Sequence, residues 1–270
     1  MYNTVISDLD GTLLGENHDI SEDSIKLLNY LNKKGVRIIL ATGRNYVDAK
    51  RIAEKLDFTP ELITSNGAEL TNTNKETVFK KTLDSKIVEG LINLDYKKYD
   101  KNTYLNLIED EMWSGVEAYK EGSKMLEWQD DDWKFYVKEK KDLNINNTDK
   151  VFYISDHDKL VLLLEDIKKE FKDSINYAFT LPFCLEIFPN SVDKSEGLKE
   201  LSKINKVDFE NAIAFGDGYN DVNMLKLAKK AYIMGNAPDS LKKELKELEV
   251  VDSNANEGLQ KKLKEIYGIK

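Results

Sequence analysis

The feature that most constrains the fold is a short apolar stretch, Thr4-Val5-Ile6-Ser7, that runs straight into Asp8-Leu9-Asp10-Gly11-Thr12. A β-branched run that is apolar on both faces is typical of a central strand in a parallel sheet. Extended backbone points Asp8 and Asp10 the same way, because side chains alternate along a strand. Two carboxylates on one face repel each other unless a cation such as Mg²⁺ lies between them. The stretch predicts a buried strand that ends in a candidate cation site, although a simple turn explains Asp-x-Asp-Gly equally well in isolation.

Strand and helix patterns alternate on either side of a central region of different character. Ile25, Leu28 and Leu31 recur at helical spacing after Ser21, a candidate N-cap, and 36–41 and 62–64 have the pattern of strands. Further strands are predicted at 212–215, 232–234 and 250–251. This alternation predicts an α/β fold with a Rossmann-like parallel sheet, in which ligands bind at the carboxyl ends of the strands.

The region from Leu83 to Phe188 contains all three tryptophans and most of the tyrosines, and its elements do not alternate. We therefore expect an inserted α+β domain at 83–188, between two parts of the core at 1–82 and 189–270. We interpret the aromatic residues as the core of this smaller domain rather than as a substrate site.

The amino-acid composition argues against some classes of function. A net charge of −9 at pH 7 argues against a nucleic-acid-binding protein, whose surface would carry a basic face. An anionic substrate would also need local cations to overcome the long-range repulsion. No apolar run approaches the length of a membrane span, and no basic leader precedes the first strand. We therefore expect a cytoplasmic protein with no membrane partner and no nucleic-acid partner.

The cysteine and histidine residues give little sign of chemistry. Cys184 is the single cysteine, which excludes an internal disulfide framework, and its apolar neighbours predict a buried core residue. His18 and His157 lie in polar stretches, so we expect them to be exposed and to have no ligand role.

Polar residues collect where the predicted strands end, and Lys194 begins a predicted helix. The segments are Asp8-Leu9-Asp10-Gly11-Thr12-Leu13-Leu14, Thr42-Gly43-Arg44, Ser65-Asn66-Gly67-Ala68, Gly216-Asp217-Gly218-Tyr219-Asn220-Asp221 and Met234-Gly235-Asn236-Ala237. In this order they resemble the motifs of the haloacid-dehalogenase (HAD) superfamily of phosphohydrolases, and in particular its Cof-type subfamily (HAD-IIB). The resemblance spans the whole chain. It implies the HAD fold with a C2-type cap, an α+β domain inserted between the second motif and the third.

The resemblance implies a role for each motif residue. Asp8 would attack phosphorus and form an aspartyl-phosphate, and Asp10 would protonate the leaving alcohol and then activate water. Thr42 would donate a hydrogen bond to the transferring phosphoryl group, and Lys194 would neutralise its charge. Asp10 must be a neutral acid in the first step, and we expect burial and a neighbouring carboxylate to raise its pKa.

The implied cofactor is Mg²⁺, held by Asp8, the backbone carbonyl of Asp10 and Asp217. Asp221 is expected to orient Lys194 or a metal-bound water rather than to bind the metal directly. The residues assigned to the substrate are Gly11, Thr12, Gly43, Asn66, Asn220 and Asn236.

Other interpretations stay open for single residues. Thr42 could cap a helix, Lys194 could be a surface lysine, and Arg44 could contact the substrate or form a structural ion pair. Ser195-Glu196 follows Lys194 where Cof-type relatives often have glycine. We expect Glu196 to face solvent in the first helical turn, where the helix dipole favours a carboxylate.

These features predict a Mg²⁺-dependent phosphatase that acts on small phosphorylated metabolites, with sugar phosphates as the first choice, and that is a monomer or weak homodimer. A phosphotransferase or sugar phosphomutase on the same scaffold is the nearest alternative. A non-catalytic phosphometabolite-binding protein is more distant, because binding alone needs no nucleophile.

Overall fold

The computed structural model describes residues 2–109, 112–121, 123, 135–190 and 192–269. The chain divides into two compact units, one formed by Met1–Lys80 with Val192–Lys270 and the other by Lys81–Ser191. The inserted domain expected at 83–188 falls within the second unit. Its Trp128 and Trp133 lie outside the described residues.

An eight-stranded sheet forms the centre of the first unit. Its strands are β1 (Thr4–Ser7), β2 (Arg37–Ala41), β3 (Glu61–Thr64), β4 (Glu69–Thr71), β5 (Thr77–Lys80), β12 (Ala212–Gly216), β13 (Lys230–Ile233) and β14 (Glu249–Val250). They lie in the order β14-β13-β12-β1-β2-β3-β4-β5. Its helices are α1 (Glu22–Lys33), α2 (Tyr46–Ala53), α5 (Lys194–Ile204), α6 (Val222–Leu227), α7 (Asp239–Glu244) and α8 (Gly258–Tyr267). The six strands from β14 to β3 are parallel, which confirms the predicted α/β fold.

The two remaining strands of this sheet differ from the prediction of a parallel sheet. β4 and β5 pair antiparallel, β4 with β3 and β5 with β4. A parallel partner needs a crossover connection of a dozen or more residues. Only the short turn 65–68 joins β3 to β4, so the chain must reverse its direction there.

Both faces of the parallel sheet are covered, as the apolar opening strand predicts. Val5 and Ile6 are each 0% exposed and belong to different core clusters. The cluster that contains Val5 includes leucines of α1 and α8, and the cluster that contains Ile6 includes residues of α5, α6 and α7. Ser21 caps α1, its hydroxyl accepting the backbone N–H of Ser24 at 3.1 Å. The sheet therefore holds its strand ends on a rigid, buried frame.

The elements of the second unit are α3 (Ser85–Asn93), β6 (Tyr104–Glu109), β7 (Met112–Gly115), β8 (Phe135–Val137), β9 (Thr148–Ile154), α4 (His157–Phe171), β10 (Ile175–Leu181) and β11 (Cys184–Pro189). Its six described strands form a sheet in the order β10-β11-β9-β6-β7-β8, in which β7 and β8 pair parallel and the other pairs are antiparallel. Leucines of α3 and α4 pack on one face, and the other carries a cluster that includes Trp113 and Cys184, both 6% exposed. These buried positions agree with the core interpretation of both residues. No helix among the residues described in either unit is long and apolar enough to cross a membrane.

Candidate functional site

The predicted site residues lie at one edge of the sheet of the first unit. Five parallel strands end next to one of them: Asp8 follows β1, Thr42 follows β2, Asn66 lies just after β3, Asp217 follows β12 and Asn236 lies just after β13. Lys194 is the first residue of α5. Because the strands run parallel, their carboxyl ends gather side chains that are far apart in the chain.

The centre of the site is a buried lysine between two carboxylates. Lys194 is 1% exposed, and its Nζ donates to Asp8 Oδ1 at 2.6 Å and to Asp221 Oδ1 at 2.5 Å. Asp221 Oδ2 accepts the backbone N–H groups of Asp217 and Gly218 at 2.9 and 2.8 Å. Asp221 therefore orients both Lys194 and the loop that carries Asp217.

The burial of these charged groups shifts their pKa values. Burial raises the pKa of Asp8 well above its usual value, and the nearby charges of Asp221 and Asp217 add to this, while Lys194 lowers it. Burial and Asp221 likewise raise the pKa of Asp217. For Lys194 burial favours the neutral amine, but the charges of Asp221 and Asp8 outweigh it and raise the pKa. The lysine thus stays protonated, and the carboxylates are crowded with negative charge.

Asp217 is held against the turn that follows Asp8. Thr12 is fully buried and its hydroxyl donates to Asp217 Oδ1 at 2.9 Å, so this side chain supports the acidic cluster. The Asn236 amide donates to the Gly11 carbonyl at 2.8 Å and to Asp217 Oδ2 at 3.3 Å. Gly11 has φ +76°, and a Cβ there would lie 2.3 Å from Asp217 Oδ2, so this position requires glycine.

The environment of Asp10 corrects one expectation. Burial alone would raise its pKa, as expected, but hydrogen bonds and charge from Arg44 outweigh burial, with help from His18, and lower the pKa overall. Arg44 Nε donates to Asp10 Oδ2 and Arg44 Nη2 to Asp10 Oδ1, each at 2.6 Å. In this structure Asp10 is therefore a paired anion, because its strongest neighbour is a cation rather than another carboxylate.

A second group of predicted residues surrounds Thr42. Its hydroxyl oxygen accepts the backbone N–H of Arg44 at 3.0 Å, which leaves the hydroxyl hydrogen free to donate elsewhere. Asn66 donates its backbone N–H to the Thr42 carbonyl at 3.0 Å and accepts from the Asn220 amide at 2.9 Å. A Cβ on Gly43 would lie 3.3 Å from Asn66 Oδ1, so these loops are closely packed. Helix α2 is capped by Asn45, not by Thr42.

Three contributors to the site were missed or left undecided by the sequence. Arg44 pairs with Asp10, and His18, expected to be exposed without a role, is exposed but lies 3.2 Å from Asp10 Oδ1 through Nδ1. Asn254 donates its backbone N–H to Asn236 Oδ1 and its amide to the Leu14 carbonyl. The arginine inside a strand-end motif was the one available signal. Glu196 is half exposed and pairs with Lys199, in agreement with its expected orientation.

The acidic side chains suit a divalent cation. Asp8, Asp217 and Asp221 each offer a carboxylate oxygen, and these oxygens lie within 4.8 Å of one another. Three carboxylates and one lysine leave a net charge of −2 when all are ionised. Asp221 accepts three hydrogen bonds of 2.5 to 2.9 Å. Asp217 is engaged less strongly, by Thr12 at 2.9 Å and by Asn236 at 3.3 Å, so Asp8 and Asp217 are the better ligands.

Comparisons with known proteins agree with this geometry. A family model for haloacid dehalogenase-like hydrolases matches residues 5–263. A protein of Buchnera aphidicola is 32% identical over 268 residues, which cover 99% of this chain and 97% of the relative. An HMP-PP phosphatase of Yersinia pseudotuberculosis is 28% identical over 251 residues, which cover 93% of this chain and 90% of the relative.

Solved structures show the same fold. The crystal structure of TM0651 from Thermotoga maritima has a TM-score of 0.85 and 25% identity, covering 98% of this chain and 97% of its own. A structure described as the HAD subclass IIB sugar phosphatase BT4131 has a TM-score of 0.74 and 20% identity, covering 99% of this chain and 100% of its own. At that identity the second likeness shows the fold alone.

Proposed function

The chain belongs to the haloacid dehalogenase-like hydrolases of the Cof type, and from that premise we propose that it is a Mg²⁺-dependent phosphatase of small phosphorylated metabolites. The observation that carries the proposal is the buried contact of Asp8 with Lys194 at 2.6 Å, beside Asp217. A carboxylate repels an anion, so a site that only bound a phosphorylated molecule would have no use for Asp8. A carboxylate that a lysine orients and partly neutralises is instead suited to attack phosphorus.

The metal proposal rests on the charge of the site. Burial raises the pKa of Asp8 and of Asp217, and the charges of neighbouring carboxylates add to it. A cation between the two would relieve that repulsion. We propose Mg²⁺ as that cation, held by these two carboxylates and the backbone carbonyl of Asp10. When bound, Mg²⁺ offsets the repulsion between the nucleophile and the phosphate and polarises a phosphoryl oxygen.

In the first step an oxygen of Asp8 forms a bond to phosphorus, and the bond from phosphorus to the ester oxygen breaks. The leaving oxygen takes the bonding electron pair and receives a proton from Asp10. Because Asp10 is an anion paired with Arg44 in the free protein, it must take up this proton when the substrate binds. Lys194 has three N–H groups and uses two for Asp8 and Asp221, so the third is available to the phosphoryl group. The free hydroxyl hydrogen of Thr42 supplies a further donor.

In the second step a water oxygen attacks phosphorus, and the bond from phosphorus to Asp8 breaks. Asp10, now an anion, takes the proton of the water, and phosphate leaves. The pairing of Asp10 with Arg44 suits this second step, because a base must be ionised to accept a proton. The two steps add up to hydrolysis of the ester by one water molecule and return Asp8 and Asp10 to their starting states.

The proposed substrate is a class of molecules, whereas the proposed reaction is a single one. We propose a small phosphorylated metabolite, with sugar phosphates as the first choice, and a cytoplasmic enzyme without nucleic-acid or membrane partners. A relative named as an HMP-PP phosphatase supports the metabolite class. A phosphotransferase or sugar phosphomutase remains the second candidate, because an alcohol in place of water would accept the same phosphoryl group.

The test is a phosphate-release screen over sugar phosphates, nucleotides and cofactor phosphates, with and without Mg²⁺. We expect Asp8→Asn to lower turnover by roughly three or more orders of magnitude, as loss of a nucleophile does, with an unchanged circular dichroism spectrum. Ser195→Ala removes a hydroxyl that donates to Asp193, its one hydrogen-bond partner among the described residues, and is a control expected to retain activity. Near wild-type turnover in Asp8→Asn, or full activity in excess EDTA, would contradict the proposal. A requirement for a bisphosphate activator would favour the mutase.

A further inference from the structure

Hydrogen bonds from the Arg44 guanidinium define the orientation of the Asp10 carboxylate. Two N–H groups of the planar guanidinium donate to the two oxygens of Asp10, each at 2.6 Å. A lysine could not reproduce this paired geometry, because its ammonium is a point charge on a flexible chain. The pair therefore sets the plane of the carboxylate as well as its charge.

The backbone of Arg44 is itself held by the neighbouring motif loops. Its N–H donates to the Thr42 hydroxyl at 3.0 Å, and its carbonyl accepts the N–H of Ser65 at 2.7 Å. The Arg44 side chain is 22% exposed. The guanidinium thus projects from a loop anchored on both sides, which is what a group that positions another side chain requires.

His18 adds a third contact to the same carboxylate. Its Nδ1 lies 3.2 Å from Asp10 Oδ1, and its backbone has φ +58°, a left-handed conformation that is uncommon for residues other than glycine. The turn is closed by a hydrogen bond from the Gly15 N–H to the Asp19 carbonyl at 3.0 Å. This turn therefore presents the imidazole to the side of Asp10 that Arg44 Nη2 also contacts.

Resting on the function proposed above, we propose that Arg44 is a positioning residue that acts on the reaction through Asp10 and not by binding the substrate, and that His18 assists it. Among the described residues, the acidic cluster beside Lys194 contains Asp8, Asp217 and Asp221 but not Asp10. Arg44 thereby keeps a fourth carboxylate apart from that cluster and aims it for proton transfer to and from the reacting oxygens. This assigns Arg44, for which substrate contact and a structural ion pair were both open, to a third role.

The test uses the dependence of the rate on the leaving group. A p-nitrophenolate leaves phosphorus without help from a proton donor, whereas a sugar alkoxide needs one. We expect Arg44→Ala to lower kcat/KM for the best sugar phosphate of the screen by about 100-fold, and kcat/KM for p-nitrophenyl phosphate by less than about threefold. Arg44→Lys should recover little of this loss, and His18→Ala should show a smaller loss of the same kind.

A double-mutant cycle separates this role from its rivals. In an Asp10→Asn background, Arg44→Ala should leave the ratio of the two kcat/KM values unchanged. Lys55→Ala is the matched control, since it removes an ion pair of similar length, with Asp19, from the same region, and should not change the ratio. Equal losses for both substrates, or losses that persist in Asp10→Asn, would overturn the proposal in favour of substrate contact. An inactive wild-type protein would instead count against the proposed function.

Discussion

Charge balance governs the site at the scale of single residues. Asp8, Asp217 and Asp221 meet one buried cation, Lys194, and the pKa of Asp8 and of Asp217 is raised. The ionised forms of both groups are therefore disfavoured in the metal-free fold. Such a cluster at the edge of the sheet lowers the stability of the fold. The same cluster provides affinity for a cation or for the transition state of an anionic substrate.

This balance predicts a pH-dependent effect of Mg²⁺ on stability. Their raised pKa values mean that Asp8 and Asp217 hold protons more tightly in the folded protein than in the unfolded chain. Without metal, the contribution of these two groups to stability should therefore decrease as pH rises from about 4, the unfolded value of an aspartate, through the raised values. Mg²⁺ binds only the ionised carboxylates, so protons compete with it at low pH.

We expect Mg²⁺ to raise the melting temperature more at pH 8 than at pH 5, measured by differential scanning fluorimetry at constant ionic strength. The Asp217→Asn variant should show a smaller shift at pH 8 than the wild type. An equal shift at both pH values, or a larger one at pH 5, would speak against metal binding by these carboxylates.

At the scale of elements, helix α5 links the two edges of the sheet. Its first residue, Lys194, lies in the site, and its C-terminal end meets Arg37 at the opposite edge. Arg37 donates to the carbonyls of Asn205 and Lys206 at 3.1 and 2.8 Å and forms a bidentate pair with Glu61. A cation at a helix C-terminus is favourable because it meets the negative end of the dipole.

The Arg37–Glu61 pair should matter for stability and not for chemistry. The Glu61 side chain is 2% exposed, so Glu61→Ala leaves a guanidinium partly buried without its carboxylate. We expect a loss of about 3–5 kcal/mol in the free energy of unfolding, typical of a broken buried pair. Urea denaturation measures this loss, and phosphate release well below the melting temperature should stay within about twofold of wild type.

Glu61→Gln is the matched control, since it keeps the side-chain shape and one acceptor and should cost less. A stability unchanged by Glu61→Ala would show that the pair contributes nothing, and a selective loss of turnover would place Glu61 in the catalytic network.

At the scale of the whole molecule, each of the two units has its own hydrophobic core. The first unit has clusters on both faces of its sheet, and the second has a cluster under α3 and α4 and another on the opposite face. Separate cores are the physical basis for independent folding. The boundaries expected from the sequence, 83 and 188, lie close to those of the second unit, 81 and 191.

We expect the excised segment 81–191 to fold by itself. It should give a cooperative thermal transition by circular dichroism and a dispersed amide spectrum by NMR, because its sheet and both helices stay within the segment. The same segment carrying Tyr153→Ala, which empties a fully buried position, is the control and should lose several kcal/mol. A non-cooperative transition in the unmodified segment would mean that the unit depends on the rest of the chain.

The sequence determined the features that depend on local pattern. Strand–helix alternation predicted the parallel sheet, and the apolar run at Val5 and Ile6 predicted a strand buried on both faces, because side-chain direction has a short, regular period. Strand-end polar residues predicted which side chains meet, because parallel strands bring their carboxyl ends to one edge. The short connection between β3 and β4 is a local feature that indicates an antiparallel strand, because it cannot hold a crossover.

Only the tertiary structure decided how the gathered charges pair. Asp10 was expected to have a raised pKa beside another carboxylate. Its pKa is instead lowered, because its strongest neighbour is Arg44, which lies thirty-four positions along the chain. Thr12 supports Asp217, and a turn with a left-handed His18 contacts Asp10. Distances of a few ångströms set the strength and sign of such interactions, and no sequence spacing specifies them.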